Sequence, residues 1–182
     1  MLQLIEQPDP EKMFHDHYAF YSSTSSFMAQ HFKQFASQVL QSGYLAKDDP
    51  FVVELGCNDG IMLKNFAEQG IRHLGIEPSL NVAQEANKHG VRTRSEFFSE
   101  TLAESIVRED GQADAFLAAN VMCHIPDIVD AQISQTASST QLLEFRPFRD
   151  QKRETSKRLF FRPSFRWFVV TNRSCEIFPQ VS

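Results

Sequence analysis

The chain has 182 residues, 42% apolar and 23% charged, with a net charge of −5 and a pI near 5.7. That is ordinary globular composition with room for one domain and a sizeable core, which excludes a disordered chain. The acidic balance excludes a general nucleic-acid binder or a partner of anionic membranes, because both need clustered positive charge to neutralise phosphates.

Three cysteines, Cys57, Cys123 and Cys175, are far apart and odd in number. They draw neither a disulfide framework nor a paired-thiolate zinc site, and they point to a reducing cytoplasm. The N-terminal stretch MLQLIEQPDPEKMF is broken by acids and prolines, and no run reaches 18 apolar residues, so neither a signal peptide nor a membrane partner is expected.

In chain order, Pro8 to Pro10 reads as a turn, followed by the aromatic and histidine-rich run Phe14 to Tyr21 and the serine cluster Ser22 to Ser26. His15, Asp16 and His17 suit a polar surface loop better than a metal site, since no further Cys or His stands near them. The serines offer a helix N-cap, and Met28, Phe32, Phe35, Val39 and Leu40 then fall on one helical face, with Gly43 as the stop. Residues 1–45 form a lead-in segment and helix.

Phe51-Val52-Val53-Glu54-Leu55 reads as a short buried strand, and Gly56-Cys57-Asn58-Asp59-Gly60 as a tight turn whose backbone visits φ > 0. A helix over roughly 60–69 follows at once. Ile71 to Glu77 is a second strand, and Pro78 pushes Glu77 into an extended exit. Ser79 caps a helix over about 80–88, Val91 to Thr93 is a third strand, Phe98 to Arg108 a third helix and Ala113 to Val121 a fourth strand. Strand and helix alternating at this spacing give an α/β fold with a Rossmann-like, doubly wound parallel sheet.

Such sheets bind ligands outside the carboxyl ends of their strands. Those ends hold the 54–60 turn, Glu77, the turn Arg94-Ser95-Glu96-Phe97, and Asn120 to His124. The GxxxxGK[ST] spacing of a phosphate loop is absent, and where a dinucleotide fingerprint wants a second and third glycine this chain has Asn58 and Ile61. Glu54 and Asp59 would repel a pyrophosphate and welcome a sulfonium and an ammonium. Glu77, at the end of the second strand, stands where a carboxylate takes both hydroxyls of a ribose.

Three strings occur in order: Glu54-Leu-Gly-Cys-Asn-Asp-Gly60, Leu74-Gly-Ile-Glu-Pro-Ser79, and Ala118-Ala-Asn-Val-Met-Cys-His-Ile-Pro-Asp127. With them the chain resembles the class I S-adenosylmethionine-dependent methyltransferases, and more narrowly those that methylate carbon in nucleotide-linked 3-keto-6-deoxysugars. The run from Tyr18 to Ser26 and the helix to Leu40 also resemble that family.

The resemblance implies S-adenosylmethionine as cofactor. Gly56, Asn58 and Gly60, with Glu54, would lie at its methionine part, Glu77 at the ribose, Glu96 and Phe97 beside the adenine, and Asn120 near the amino acid end or the methyl group. His124 would assist proton transfer or orient a sugar hydroxyl, and Tyr21 would reach the substrate, a nucleotide-linked sugar. Against these stand plainer readings. Cys57 and Cys123 are small packing residues, His124 equally suits a structural hydrogen bond, and Tyr21 suits simple packing.

The family's paired-cysteine zinc domain precedes the matching region, and no zinc or other metal is expected here. Residues 46–130 make the cofactor domain, and the resemblance ends near residue 130, so the parallel sheet is expected to stop after its fourth strand. Residues 131–182 hold nine Lys/Arg against four acids, reversing the charge of the first 130. This divergent basic and aromatic tail offers one strand, at 167–171. Its interleaved arginines and aromatics also suit stacking on single-stranded nucleic acid, a reading set aside because such composition arises in a shifted reading frame as well. The chain is thus expected to be truncated at both ends. It is either an active methyltransferase or an inactive cofactor-binding remnant that lacks the base-bearing half.

Overall fold

At the centre of the fold lies β1 (Phe51–Leu55), every residue of which is buried. The computed structural model describes residues 9–119 and 121, together with the strands 167–171 and 175–178. Alternation along β1 sends its side chains to two cores. Val52 joins Phe32, Phe35 and Val39 of α2 (Ser26–Gln41) and Phe66 of α3 (Lys64–Ala67) on one face. Phe51, Val53 and Leu55 join Leu102 and Ile106 of α5 (Glu100–Asp110) on the other. A strand covered on both sides reads as a near-continuous apolar run rather than an alternating one, and Glu54 is the single polar residue in it.

The sheet runs in the order β3-β2-β1-β4-β5-β6. β1 pairs in parallel with β2 (Arg72–Ile76) and with β4 (Ala115–Ala119), and β2 pairs in parallel with β3 (Thr93–Arg94). Strand order therefore reverses between β1 and β4, and the carboxyl end of β1 opens at that reversal. The parallel part ends with β4. β5 (Trp167–Thr171) then pairs antiparallel with β4, and β6 (Cys175–Phe178) antiparallel with β5. The strand read from the tail occupies the expected residues, and β4 is not left as an edge.

The amino ends of β1 and β4 are pinned by one side chain. Asp114 Oδ2 accepts from the Phe51 N–H at 2.8 Å and from Lys47 Nζ at 2.8 Å, while the Asp114 N–H donates to the Phe51 carbonyl at 2.8 Å. This fixes the register that aligns the opposite ends.

Several boundaries differ from the expected ones. Residues 61–63 form turns rather than helix, so α3 spans only Lys64–Ala67. Ile61, Met62 and Leu63 are drawn wholly into the core, and Asn65 Nδ2 takes up the Ile61 and Met62 carbonyls at 3.1 and 2.8 Å. β3 begins at Thr93 instead of Val91, which is buried in the core with Phe66 and Ala86. α5 starts at Glu100 because Ser99 Oγ caps it, accepting from the Leu102 N–H at 3.2 Å, while Phe98 stays outside and packs on Phe116. α4 (Leu80–Lys88) has the expected bounds. Near the amino terminus Asp9 caps a one-turn helix, α1 (Pro10–Met13), with Pro10 in its first turn.

Gly75 lies in the middle of β2 directly over the Cys57 side chain, which a Cβ at that position would strike. Overfilling a packed site costs about 1–3 kcal/mol. Gly75→Ala should lower stability by roughly that amount in urea unfolding, and Cys57→Ala introduced with it should recover part of the loss. An unchanged midpoint for Gly75→Ala would refute this packing account.

Candidate functional site

The chain leaves β1 through a turn that doubles back on β2. The Gly56 and Cys57 N–H groups both donate to the Ile76 carbonyl, at 2.8 and 3.3 Å, and the Gly60 N–H donates to the Cys57 carbonyl at 3.0 Å. Gly56, Asn58 and Gly60 have φ of 65°, 50° and 77°. Two of these positions also lack room. A Cβ on Gly56 would lie 2.7 Å from Val121 Cγ2, and one on Gly60 2.9 Å from Val91 Cγ2. Asn tolerates the left-handed region, so Asn58 fits between them and brings a side-chain amide that glycine lacks.

Glu77 follows β2 and is 5% exposed. Its carboxylate accepts from the Asn58 N–H at 3.1 Å and the Ser79 N–H at 3.0 Å. Its own N–H donates to the Arg94 carbonyl at 3.1 Å, and its carbonyl accepts from Ser95 Oγ at 3.1 Å. Burial pushes Glu77 above the usual carboxylate range, hydrogen bonds from Ser79 and Asn58 pull it back, and Asp59 adds to the rise. Ser79 was expected to cap α4 with its hydroxyl. It stands at the N-cap position without a side-chain cap bond, and it is the Ser79 backbone N–H, not the hydroxyl, that holds Glu77.

Two further carboxylates face the same place. Glu54 is 1% exposed and is raised well above its ordinary value by burial, then by Glu77 and Asp59, against one hydrogen bond from the Leu63 backbone. Asp59 is fully buried, and its Oδ2 accepts from the Ser23 N–H at 2.9 Å. Glu54 Oε2 and Asp59 Oδ1 are buried with no protein hydrogen-bond partner among the described residues. Buried acceptors in that condition cost free energy until a donor reaches them.

A segment from the amino terminus lies over this turn. Asn58 Oδ1 accepts from the Ser22 N–H at 2.8 Å and Asn58 Nδ2 donates to the Phe20 carbonyl at 3.1 Å. On the α4 side, Asn81 Oδ1 accepts from the Tyr18 N–H at 3.2 Å, and Asn81 Nδ2 donates to both the Tyr18 carbonyl and Tyr21 Oη at 2.8 Å.

The structure thus brings together Glu54, Gly56, Asn58, Gly60 and Glu77, and joins Tyr21 to them through Asn58 and Asn81. Glu96 is tied to the site only through its neighbours and spends its carboxylate on Arg94 Nε at 2.9 Å, while Phe97 beside it is 42% exposed. Asn120 and His124 lie outside the described residues. His15 and His17 have ring centroids 6.4 Å apart on the surface, and no group of three or more metal-ligating side chains occurs among the described residues. The Cys57 thiol is pushed well up by burial and the nearby acids, as suits a packing residue. Sequence reading missed Ser22, Ser23 and Asn81; an amide two residues past the Ser79 cap was the one available signal.

A reversed strand order, a glycine turn at the reversal and an acid ending the next strand define a Rossmann-like domain of the class I methyltransferase type. The chain belongs to the methyltransferase-domain family, whose model matches residues 14–175. The match runs past residue 130, where the recognisable strings end. The chain is 32% identical over 120 residues to the C-methyltransferase NovU of Streptomyces niveus, covering 66% of this chain and 28% of that protein. It is 27% identical over 78 residues to the ubiquinone biosynthesis O-methyltransferase of Escherichia coli, covering 42% of this chain and 32% of that protein. It therefore spans less than a third of either curated relative. Among solved structures it is similar to magnesium protoporphyrin IX methyltransferase of Synechocystis with bound S-adenosylmethionine, at 13% identity and a TM-score of 0.37, over 60% of this chain and 67% of that one.

Glu54 gives a pH-dependent test. A carboxyl whose folded value is raised stabilises the fold below its unfolded value and loses that contribution as pH rises through the folded one. Glu54→Gln keeps an acceptor for the Leu63 N–H and removes the charge, so it should raise the melting temperature by roughly 2–4 °C near pH 8. The gain should vanish near pH 4, as followed by calorimetric unfolding across pH. A gain that is equal at both pH values would refute the buried-charge account.

Proposed function

We propose that this domain binds S-adenosylmethionine and serves C-methylation of a nucleotide-linked 3-keto-6-deoxysugar. The observation that carries the cofactor reading is the pair of buried, unmet acceptors, Glu54 Oε2 and Asp59 Oδ1, at a glycine turn that holds no lysine. Such a turn suits a ligand that brings N–H donors and positive charge, and it disfavours a pyrophosphate.

When bound, S-adenosylmethionine supplies an electrophilic methyl group on a sulfonium. Gly56, Asn58 and Gly60 let the backbone approach its methionine part, and Glu54 and Asp59 set the negative potential around the ammonium. Glu77 has a second lone pair on each oxygen beyond the backbone N–H groups it holds, enough to accept from two ribose hydroxyls. Glu96 and Phe97 flank the adenine, and Phe97 has the exposure that a stacking face requires. Asn120 and His124 extend the site toward the methyl group, with His124 moving a proton or orienting a sugar hydroxyl, and Tyr21 approaches from the overlying segment.

The sugar reading draws on the three sequence strings and on the similarity to a C-methyltransferase. Carbon alkylation needs a carbanion beside a ketone, so the acceptor must be a keto compound whose neighbouring C–H loses a proton to a base; positioning supplies much of the rest. The reducing character read from the three cysteines supports a cytoplasmic setting.

Calorimetry with S-adenosylmethionine tests the cofactor reading directly. Binding in the low micromolar to millimolar range is expected, and Glu77→Gln should weaken it by about tenfold or more, since one acceptor of a paired contact becomes a donor. No heat from the wild-type chain would refute the cofactor reading, and unchanged affinity of the variant would refute the ribose assignment. Binding without methyl transfer to any keto-sugar nucleotide would select the inactive-remnant alternative.

A further inference from the structure

The geometry points to Asn81 as a positioning residue that fixes the direction in which the Tyr21 hydroxyl donates its hydrogen bond. The inference rests on the proposed placement of Tyr21 at the substrate side of the site.

The orientation of the Asn81 amide follows from its partners. Tyr18 offers a backbone N–H to Asn81 Oδ1 at 3.2 Å and a backbone carbonyl to Asn81 Nδ2 at 2.8 Å. Turning the amide over would set donor against donor and acceptor against acceptor, so this reciprocal pair assigns Nδ2 as the nitrogen. One of its two N–H groups is used on Tyr18. The other reaches Tyr21 Oη at 2.8 Å, and because an amide nitrogen accepts nothing, the phenol oxygen must be the acceptor. The Tyr21 proton is thereby excluded from this contact and left to a different acceptor.

Position adds to polarity. Tyr21 sits between Phe20, whose carbonyl is held by Asn58 Nδ2, and Ser22, whose N–H is held by Asn58 Oδ1. Its backbone is thus anchored to the turn and its hydroxyl to the first turn of α4. A phenol anchored twice, with its proton not taken by Asn81, is a directed single donor. In the proposed reaction the atom that gains negative charge is the ketone oxygen, as the neighbouring C–H bond gives its proton to the base. A preorganised donor is worth most at an oxygen where charge develops. The ligand feature assigned to this donor is therefore the carbonyl oxygen of the keto substrate.

Asn81→Asp and Tyr21→Phe separate this from a merely structural role. Asp presents oxygen in place of Nδ2, captures the Tyr21 proton and keeps an acceptor for the Tyr18 N–H. With S-adenosylmethionine and a nucleoside-diphosphate-linked 3-keto-6-deoxysugar, each single variant should lower kcat by roughly tenfold to a hundredfold, with cofactor affinity changed by less than about threefold. The double variant should be no slower than the slower single. Multiplying losses, or an Asn81→Asp enzyme as fast as wild type, would overturn the inference.

A second measurement holds even if that substrate is not turned over, an outcome that refutes the substrate reading alone. In a proton–nitrogen correlation spectrum, Tyr21→Phe should shift one Asn81 side-chain amide proton and leave its geminal partner, bonded to Tyr18, nearly unmoved. If neither shifts, or both shift equally, the contact that fixes the hydroxyl does not exist. Should Asn81→Asp fail to fold, Asn81→Ala serves in the kinetic comparison, with the same non-multiplying loss expected against Tyr21→Phe.

Discussion

Three carboxylates buried around one turn set the terms for the rest of this fold. Charge in a low-dielectric interior is costly unless hydrogen bonds answer it. Here the answering groups are mainly backbone N–H groups from different parts of the chain: Asn58 and Ser79 for Glu77, Ser23 for Asp59, and Leu63 for Glu54. The turn is thereby tied to the end of β2, the start of α4 and the amino-terminal segment. An acidic site therefore organises the chain around it as well as shaping what it binds.

Charge is segregated along the strands. At their amino ends, Lys47 pairs with Asp114, Arg72 with Asp49 and Arg92 with Asp110, each within 2.8 Å. Those exposed or partly exposed pairs add little stability individually. Their effect is to hold these three cations at the opposite end of the sheet from Glu54, Asp59 and Glu77, while Arg94, at the carboxyl end of β3, is taken up by Glu96 and Glu109. Among the described residues none of Glu54, Asp59 and Glu77 is in an ion pair, whereas the acids at the end that fixes register are paired.

The elements were largely legible because local patterning carries them. The five-residue buried strand, the bounds of α4 and the tail strand at 167–171 follow from runs and periods of apolar residues. The glycine turn and the terminal acid of β2 were visible as well, since left-handed backbone and a pre-proline exit leave compositional marks at Gly56, Asn58, Gly60 and Glu77. What escaped was decided at a distance. The ties from Asn58 to Phe20 and Ser22, and from Asn81 to Tyr18 and Tyr21, join residues 36 to 63 positions apart. No window of sequence contains both partners. The shortening of α3 was hidden for another reason: Ile61 to Leu63 have the apolar character of a helix start, but Gly60 and the Asn65 side chain hold them in turns. The second tail strand, Cys175–Phe178, has a mixed composition that announces nothing by itself.

The way the amino-terminal segment is attached bears on how a ligand enters and leaves. Its anchors are polar contacts to the side chains of Asn58, Asp59 and Asn81, and Phe20 within it remains 59% exposed. Detaching it uncovers little apolar surface, so its opening free energy is far below that of the whole fold and depends only weakly on denaturant. Residues 18–23 would then form a small unit of local unfolding, breathing independently of the sheet. A segment so attached can be released by breaking a few hydrogen bonds, without a hinge between rigid bodies.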